Sequence, residues 1–295
     1  MSESPPSSAG VAAATAAVMA AFAANSVLMR LALEPTVGAP TGVALTEAAT
    51  ATVFRLWAGS IVLVAVLAFR GRRPSVRLDY GAGALLFVYA GAFSVAYLDL
   101  ATGTGALILF AAVQATMIGA GLRAGERLRP VQWLGLTAAV AGVVVLVAPG
   151  VEAPAPVPAL TMAASGVAWG LYSLRGRGVA DPAAATTVAF LVASVLGVAL
   201  AFGTLAIRVP PGAFTHAADL GYAIASGALT SALGYVAWYA VLPRLCATSA
   251  SVVQLSVPVL AAVGGVVWLA EPVTLRLAAA SALTLGGIAA VLRAR

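Results

Sequence analysis

The residues with the clearest capacity for chemistry are polar side chains that interrupt long apolar stretches. Arg30 and Arg55 are charged, and Asn25, Gln114 and Gln254 carry carboxamides. A guanidinium can bind a carboxylate through two parallel N–H donors. A carboxamide presents donors and acceptors that must all be satisfied when it is buried. These residue types predict a binding site for a small polar solute, with Arg55 and Arg30 as possible contacts for a carboxylate.

Aromatic and hydroxyl side chains in the same stretches extend this set. Tyr89 and Tyr97, with Phe93 between them, follow a four-residue step that places the three rings on one face of a helix. The candidate binding and pathway residues are Asn25, Tyr89, Ser94, Tyr97, Gln114, Trp169, Tyr172, Tyr235, Trp238, Tyr239, Gln254 and Ser256.

Each candidate also has a structural alternative. Buried hydroxyls and carboxamides, Thr230 and Ser231 among them, commonly join one membrane helix to another, and aromatic rings commonly face lipid near an interface. Arg55 lies about 8 Å into its apolar stretch at 1.5 Å per residue. A side chain so near the surface can snorkel to the headgroups. Arg30 is open to the same alternative, so the sequence leaves both interpretations standing.

Catalysis and metal binding find little support among the residues. The chain has one histidine, His216, and one cysteine, Cys246. A His-Glu-x-x-His cluster, an intrachain disulfide and a multi-cysteine metal site are therefore all excluded. We predict that the protein is not an enzyme and that it holds no metal and no cofactor.

The positions of the acidic residues also disfavour proton coupling through a buried acid. A proton relay in a membrane needs Asp, Glu or His within the helices. The acids considered for this role all fall at predicted helix ends or in loops: Asp79, Asp99, Glu126, Asp181, Asp219 and Glu271. Glu126 and Glu271 are best interpreted as charges that anchor helix ends and loops.

The elements that position these residues follow from composition. The chain is 62% hydrophobic and 9% charged, whereas roughly a quarter of an ordinary soluble domain is charged. A membrane-spanning helix needs about 20 mostly apolar residues. We therefore predict an all-α integral membrane protein with ten transmembrane helices, at about 10–33, 49–69, 80–98, 100–122, 130–151, 157–174, 183–207, 220–243, 245–270 and 274–292.

The positions of the charges predict the orientation in the membrane. All sixteen basic residues are arginines, and most of them fall in alternate loops. Basic loops remain on the cytoplasmic side. Both termini are therefore predicted to be cytoplasmic in a bacterial-type inner membrane. Because the net charge of +6 is spread over these loops, we do not expect nucleic acid as a partner.

An internal repeat divides the chain. At an offset of 145 residues, Glu126 pairs with Glu271, Arg30 with Arg175, and a glycine with a glycine near each half's end. We predict a disordered tail at 1–9, a five-helix repeat at 10–151 and a second at 152–295. Since five crossings is an odd number, the second repeat is inverted, and the two glutamates lie on opposite faces. Inverted repeats are typical of alternating-access transporters, with the solute held at the midplane.

The motifs resemble a known family. A small residue, a glutamate and a hydrophobic residue lead into a glycine-rich helix in each half, and WGLYSLRGRG at 169–178 is similar to the start of a second repeat. These features resemble the EamA repeat of the drug/metabolite transporter superfamily, and within it the YddG-type exporters of aromatic amino acids. The resemblance implies a secondary carrier that exports amino acids.

The inverted repeat predicts gate residues, a scaffold and a kinked helix. Tyr97 and Trp238 match under the inverted alignment and are expected to be gates on opposite faces. Helices 5 and 10 are expected to pack closely as a scaffold, and Pro258 to kink helix 9. The alternatives are a carrier for drugs, purines or other small solutes, or a channel. The expected partners are a small-molecule substrate and membrane lipid, with no obligate protein partner.

Overall fold

The protein is described by a computed structural model that covers residues 8–36, 39–72, 79–125, 127–150, 153–176, 179–206, 217–241 and 253–293. Within these residues the regular structure is helical. The helices are α1 (Ser8–Leu33), α2 (Thr41–Phe69), α3 (Tyr80–Ala96), α4 (Thr102–Arg123), α5 (Pro130–Val147), α6 (Pro156–Arg175), α7 (Pro182–Ala206), α8 (Ala217–Ala225), α9 (Gly234–Val241), α10 (Ser256–Leu269) and α11 (Leu275–Arg293). A π-helical segment, Ser226–Leu233, joins α8 to α9 and is called the π segment below.

Seven helical stretches in the described part of the chain are long and apolar enough to cross a membrane. They correspond to α1, α2, α4, α5, α6, α7 and the continuous rod from α8 to α9. Helices α3, α10 and α11 are apolar but shorter. The fold is therefore that of an all-helical integral membrane protein. A count of ten spans in two repeats stays a prediction, and the loop residues Glu126, Arg244 and Cys246 lie outside the described residues.

Two helix boundaries differ from those predicted. Helix α2 begins at Thr41 and not near residue 49, because Glu47 lies inside the helix and is buried. The predicted range of 49–69 leaves this glutamate outside the helix. Val253 and Gln254 are helical, Leu255 forms a turn, and α10 begins at Ser256, so the helix is interrupted just before Pro258. This interruption favours the kink predicted at Pro258, which stays a prediction.

Helices α5 and α11 form a close pair at one side of the bundle. Gly135 of α5 lies against Gly287 of α11, and Gly142 lies against Thr284. A Cβ atom at any of these glycines would collide with the facing backbone or side chain. Gln132 also donates to the carbonyl of Val291 at 3.0 Å. The close packing of helices 5 and 10 expected from their glycines is confirmed.

The remaining helices surround a centre where α1, α2, α3, α6 and the π segment meet. Helix α6 packs against α3 and α4, α2 packs against α7 and the π segment, and α1 packs against α10 and the rod from α8 to α9. Gly227 of the π segment touches the Arg55 backbone so closely that no side chain fits there. This approach brings the polar residues of the π segment beside Arg55.

Charged residues link the helix ends at the two ends of this bundle. The first is called the Glu271 end. Here Arg30 at the end of α1, Tyr97 at the end of α3, Thr102 at the start of α4 and Glu271, two residues after α10, are joined by hydrogen bonds. At the second, called the Asp79 end, the end of α2, the start of α3, the end of α6 and the start of α7 are joined by Arg72, Asp79, Arg175 and Asp181.

Candidate solute-binding site

The centre of the bundle holds six polar residues, which we call the central cluster. They come from α1, α2, α3 and the π segment, and all six are buried. The central cluster consists of Asn25, Arg55, Tyr89, Ser226, Thr230 and Ser231. Polar groups placed so deep in an apolar bundle usually face its interior and mark a functional site.

Arg55 is the charge of this cluster, and only 1% of its surface is exposed. Its Nη2 donates to the hydroxyl of Tyr89 at 3.1 Å, and Nε and Nη2 each lie 3.4 Å from the hydroxyl oxygen of Ser231. Among the residues that the structure describes, its buried Nη1 finds no hydrogen-bond partner. The guanidinium also lies over the rings of Tyr89 and Phe93, at 5.2 and 4.8 Å from their centroids. The side chain points into the bundle, so the snorkelling alternative for Arg55 is wrong.

Asn25 joins α1 to the π segment and to α3. Its Oδ1 accepts from the hydroxyls of Ser226 at 2.7 Å and Thr230 at 3.1 Å. Its Nδ2 donates to the hydroxyl of Tyr89 at 3.3 Å. The Tyr89 hydroxyl therefore accepts from both Asn25 and Arg55 and connects the neutral and charged parts of the cluster. Both ends of this carboxamide are satisfied by interhelical hydrogen bonds.

Aromatic rings form a wall beside the central cluster. Trp169 of α6 lies between Tyr89 and Tyr235, with ring centroids 4.9 and 4.8 Å away, and Tyr172 lies 5.5 Å from Trp169. A cavity of about 20 Å³ opens between the rings and the cluster. It is lined by Phe22, Asn25, Ser26, Tyr89, Phe93, Leu109, Phe110, Trp169, Thr230 and Tyr235. Since a water needs at least about 10–15 Å³, the cavity has room for a water and not for an organic solute.

Four of the residues predicted from sequence are thus brought together here: Asn25, Tyr89, Trp169 and Tyr235. Ser94 is buried but belongs to an interhelical hydrogen bond, since it accepts from Thr52 at 2.8 Å. Gln114 is buried one turn further along α4 than Phe110. Ser94 therefore fits the alternative of joining helices.

The candidates on the second half are more scattered. Trp238 packs against Phe22 with centroids 6.1 Å apart, and the side chain of Tyr239 lies outside the described residues. Gln254 precedes α10 and Ser256 begins it, with the exposed Ser256 hydroxyl donating to the carbonyl of Val253. Gln254 is itself helical, and the turn at Leu255 separates it from Ser256, so both residues lie beside an interruption of the predicted helix.

Two features of the site were missed from the sequence. Ser226 was not among the candidates, although its hydroxyl makes the shortest bond to Asn25. The π segment itself was also missed. Its i to i+5 bonding widens the helix, and such segments occur frequently at functional sites. The available signal was Ser226 with Thr230 and Ser231 around a glycine, Gly227, that must approach another backbone.

Arg30 serves the Glu271 end. Its Nη1 donates to the Tyr97 carbonyl at 2.8 Å, and its Nε lies 3.4 Å from Glu271 Oε1. Glu271 accepts from the backbone N–H of Thr102 at 2.7 Å and from its hydroxyl at 3.0 Å, so it caps the start of α4. The Tyr97 hydroxyl donates to the Thr102 carbonyl at 3.2 Å. The anchoring role expected of Glu271 is confirmed, and this geometry favours the structural alternative for Arg30.

The Asp79 end is looser. Arg175 lies 3.4 Å from Asp79, and Arg72 lies 3.3 Å from Asp181, with three of the four side chains about half or more exposed. The backbone N–H of Ala82 and the nearby Arg175 lower the pKa of Asp79, which caps α3. A cavity of about 80 Å³ lies between these charges and Tyr172. Tyr172 and Trp169 separate it from the smaller cavity at the centre.

Part of the chain is similar to a known family of transporters, and nearly its full length is similar to other proteins. Residues 157–293 match the EamA-like transporter family. An uncharacterized protein of Pseudomonas aeruginosa is 46% identical over 95% of this chain and 94% of its own length. An uncharacterized transporter of Archaeoglobus fulgidus is 41% identical over 26% of this chain and 28% of its own. A crystal structure of another protein is similar at a TM-score of 0.62 and 25% identity, and covers 96% of this chain and 97% of that one.

Proposed function

We propose that this chain, whose residues 157–293 match the EamA-like transporter family, is a secondary carrier of small solutes that binds its solute at the central cluster. The solute reaches this site from one end of the bundle and leaves by the other. The single observation that carries the proposal is the buried cluster around Arg55, which joins elements from both halves of the chain. A merely structural core has no need of a charge with an unpartnered donor.

Alternating access is supported by the pattern of helix packing. Under the 145-residue offset, α1 corresponds to α6, α2 to α7, α3 to the π segment with α9, α4 to α10, and α5 to α11. The pair α4–α6 then has its counterpart in α10–α1, and α2 with the π segment has its counterpart in α7 with α3. The pairs α2–α7, α4–α10 and α5–α11 are each their own counterparts. This reciprocity is what two inverted repeats would produce, and it gives the bundle two equivalent arrangements.

The direction of opening is supported by the difference between the two ends. The Glu271 end is closed by partly buried groups, whereas the Asp79 end is held by exposed ion pairs over a cavity. The arginine distribution predicts that the Asp79 end is cytoplasmic. A solute from the cytoplasm would then enter beside Tyr172 and pass Trp169, and export follows if the Glu271 end opens next.

One candidate solute is an amino acid with a neutral or aromatic side chain. Its carboxylate would meet Arg55, and its side chain would lie among Tyr89, Trp169 and Tyr235. Other small solutes of partly apolar character, such as drugs or purines, remain an equally open alternative, because aromatic walls accept many planar bodies.

Reconstitution in liposomes tests the proposal. Liposomes that contain the purified protein are loaded with a pool of unlabelled small metabolites. The protein should accelerate the uptake of a labelled member of that pool by counterflow, and the uptake rate should saturate with concentration. Trp133 is exposed on the scaffold helix α5, so the variant Trp133→Ala serves as a control and should transport normally. A flux that rises linearly with concentration and shows no counterflow would indicate a channel and contradict the carrier.

A further inference from the structure

The charge of Arg55 has no counter-charge in the described residues. The ion pairs of the structure use Arg30, Arg72 and Arg175, and Arg55 contacts only neutral hydroxyls and aromatic rings. Glu47, the other buried charge of α2, is eight residues away, or about 12 Å along the helix axis. A buried arginine without a carboxylate is destabilising, so a bound solute of opposite charge would stabilise this site.

Arg55 contacts the hydroxyls of Tyr89 and Ser231 and the rings of Tyr89 and Phe93. The other groups of the central cluster and of its aromatic wall are Asn25, Ser226, Thr230, Trp169 and Tyr235. None of these side chains is charged. The site therefore carries one positive charge among neutral hydrogen-bonding groups and aromatic rings.

The available donors fit a carboxylate. A guanidinium binds a carboxylate through two parallel N–H bonds, and Nη1 of Arg55 is buried and unpartnered. The weakest bonds of the guanidinium are the two to Ser231, each 3.4 Å long, so an incoming oxygen can replace this hydroxyl. Stacking on Tyr89 and Phe93 meanwhile fixes the plane of the guanidinium.

The same surroundings offer little to an ammonium group. Asn25 Oδ1 already accepts two hydroxyls, and none of the groups facing Arg55 is a carboxylate. One bound negative charge neutralises the site, whereas a zwitterion brings a second positive charge into it. Resting on the proposed function, we propose that the solute is recognised as a monoanion, a monocarboxylate on an aromatic or apolar body, and that Arg55 binds the carboxylate.

An amino group on the solute is therefore not required for binding. Amino acids compete only through their carboxylate and their apolar side chain. The corresponding deaminated acids bind at least as well, while amines and alcohols of the same shape do not bind. This order separates the charge of the solute from its shape.

Four probes of one shape test this order: hydrocinnamate, phenylalanine, phenethylamine and hydrocinnamyl alcohol. Each is added to the purified full chain in lipid nanodiscs, and the thermal unfolding midpoint is followed with concentration. We expect hydrocinnamate to raise the midpoint, phenylalanine to do so no more strongly, and the amine and alcohol to have no effect. Equal shifts by the acid and the alcohol, or no shift with any probe, would overturn the inference.

Two arginine variants sharpen the result. Arg55→Gln should weaken the apparent affinity for hydrocinnamate by about tenfold or more, because a charge-assisted bond is lost. Without ligand this variant should be at least as stable as the wild type, since it removes an unpaired buried charge. Arg276→Gln, on α11 and remote from the cluster, is the matched control and should retain the response to hydrocinnamate. An unchanged response in Arg55→Gln would overturn the assignment.

The result is separable from the proposed function. Counterflow of the metabolite pool in liposomes reports transport whether or not hydrocinnamate is bound. If counterflow occurs and hydrocinnamate does not inhibit it, the monocarboxylate inference fails and the carrier stands. If hydrocinnamate binds and no counterflow occurs, the carrier proposal fails while the anion site stands.

Discussion

The two ends of the bundle are closed by the same chemistry in different surroundings. At the Glu271 end, Arg30 and Glu271 have side chains only 14% and 12% exposed, and further bonds to Tyr97 and Thr102 complete the junction. At the Asp79 end, the pair of Arg175 and Asp79 is 54% and 47% exposed. Burial makes the first junction costly to break, whereas solvent weakens the second. We therefore expect the Asp79 end to open more readily from this arrangement than the Glu271 end.

Glu271→Gln tests the comparison with the largest expected effect. The substitution leaves Arg30 partly buried without its counter-charge and should lower the free energy of unfolding by about 3 kcal/mol. Denaturation in detergent micelles measures the change. The control is Glu34→Gln, an exposed glutamate at the same end, which should have almost no effect. Equal stabilities of the two variants would show that burial does not distinguish this end.

Tyr97→Ala and Trp238→Ala sharpen the comparison through transport. If these two rings are counterpart gates, each change should alter the rate several-fold while the protein remains at normal levels in the membrane. Tyr97 lies at the Glu271 end, and Trp238 lies on α9, toward the other end of the rod. Counterflow in liposomes supplies the rates. Wild-type rates in both variants would remove the gate hypothesis.

Arg175→Gln should have a smaller effect on stability than Glu271→Gln. An exposed ion pair contributes at most about 0.5–1 kcal/mol and is screened by salt. The variant should therefore lose that small contribution at low salt and match the wild type at high salt. Unfolding in parallel salt series measures the difference. A loss of stability as large as that of Glu271→Gln would show that the two ends are equally strong and would contradict the comparison.

The smallest effect is expected from acidification at the Asp79 end. The pKa of Asp79 is lowered in the folded protein from its ordinary value of 3.8, first by the N–H of Ala82 and then by Arg175. Its contribution to stability is present above the ordinary pKa and is lost as the pH falls through the lower pKa of the folded state. Asp79→Asn should lack this component, so its stability should fall less than that of the wild type below about pH 4. Parallel curves for the two proteins would contradict the role of Asp79.

The helices were the most predictable part of the molecule, because apolar runs long enough to cross a bilayer leave few other structures possible. The junction at Glu271 was also predictable from the sequence, since a glutamate after an apolar run needs hydrogen-bond donors nearby. The start of α2 was not predictable from charge-free runs, because Glu47 is buried inside this helix.

That one boundary explains the error at Arg55. Counted from residue 49, Arg55 lies near the surface, where snorkelling is available. Counted from Thr41, it lies 14 residues into α2, or about 21 Å, which is too deep for the headgroups. The partners of Arg55 were even harder to predict from the sequence, because Ser231 reaches Arg55 only through the π segment and the close approach of Gly227. Such contacts depend on tertiary packing that no local pattern encodes.

Spin-label distances across each end test most directly the claim that the two ends open in turn around the central cluster. One pair joins the exposed Tyr80 of α3 to the exposed Ala240 of α9 at the Asp79 end, and the other joins Leu45 of α2 to Trp268 of α10 at the Glu271 end. We expect a saturating transported solute to shift the two distances in opposite directions. Distances that both stay fixed, or that lengthen together, would contradict alternating access.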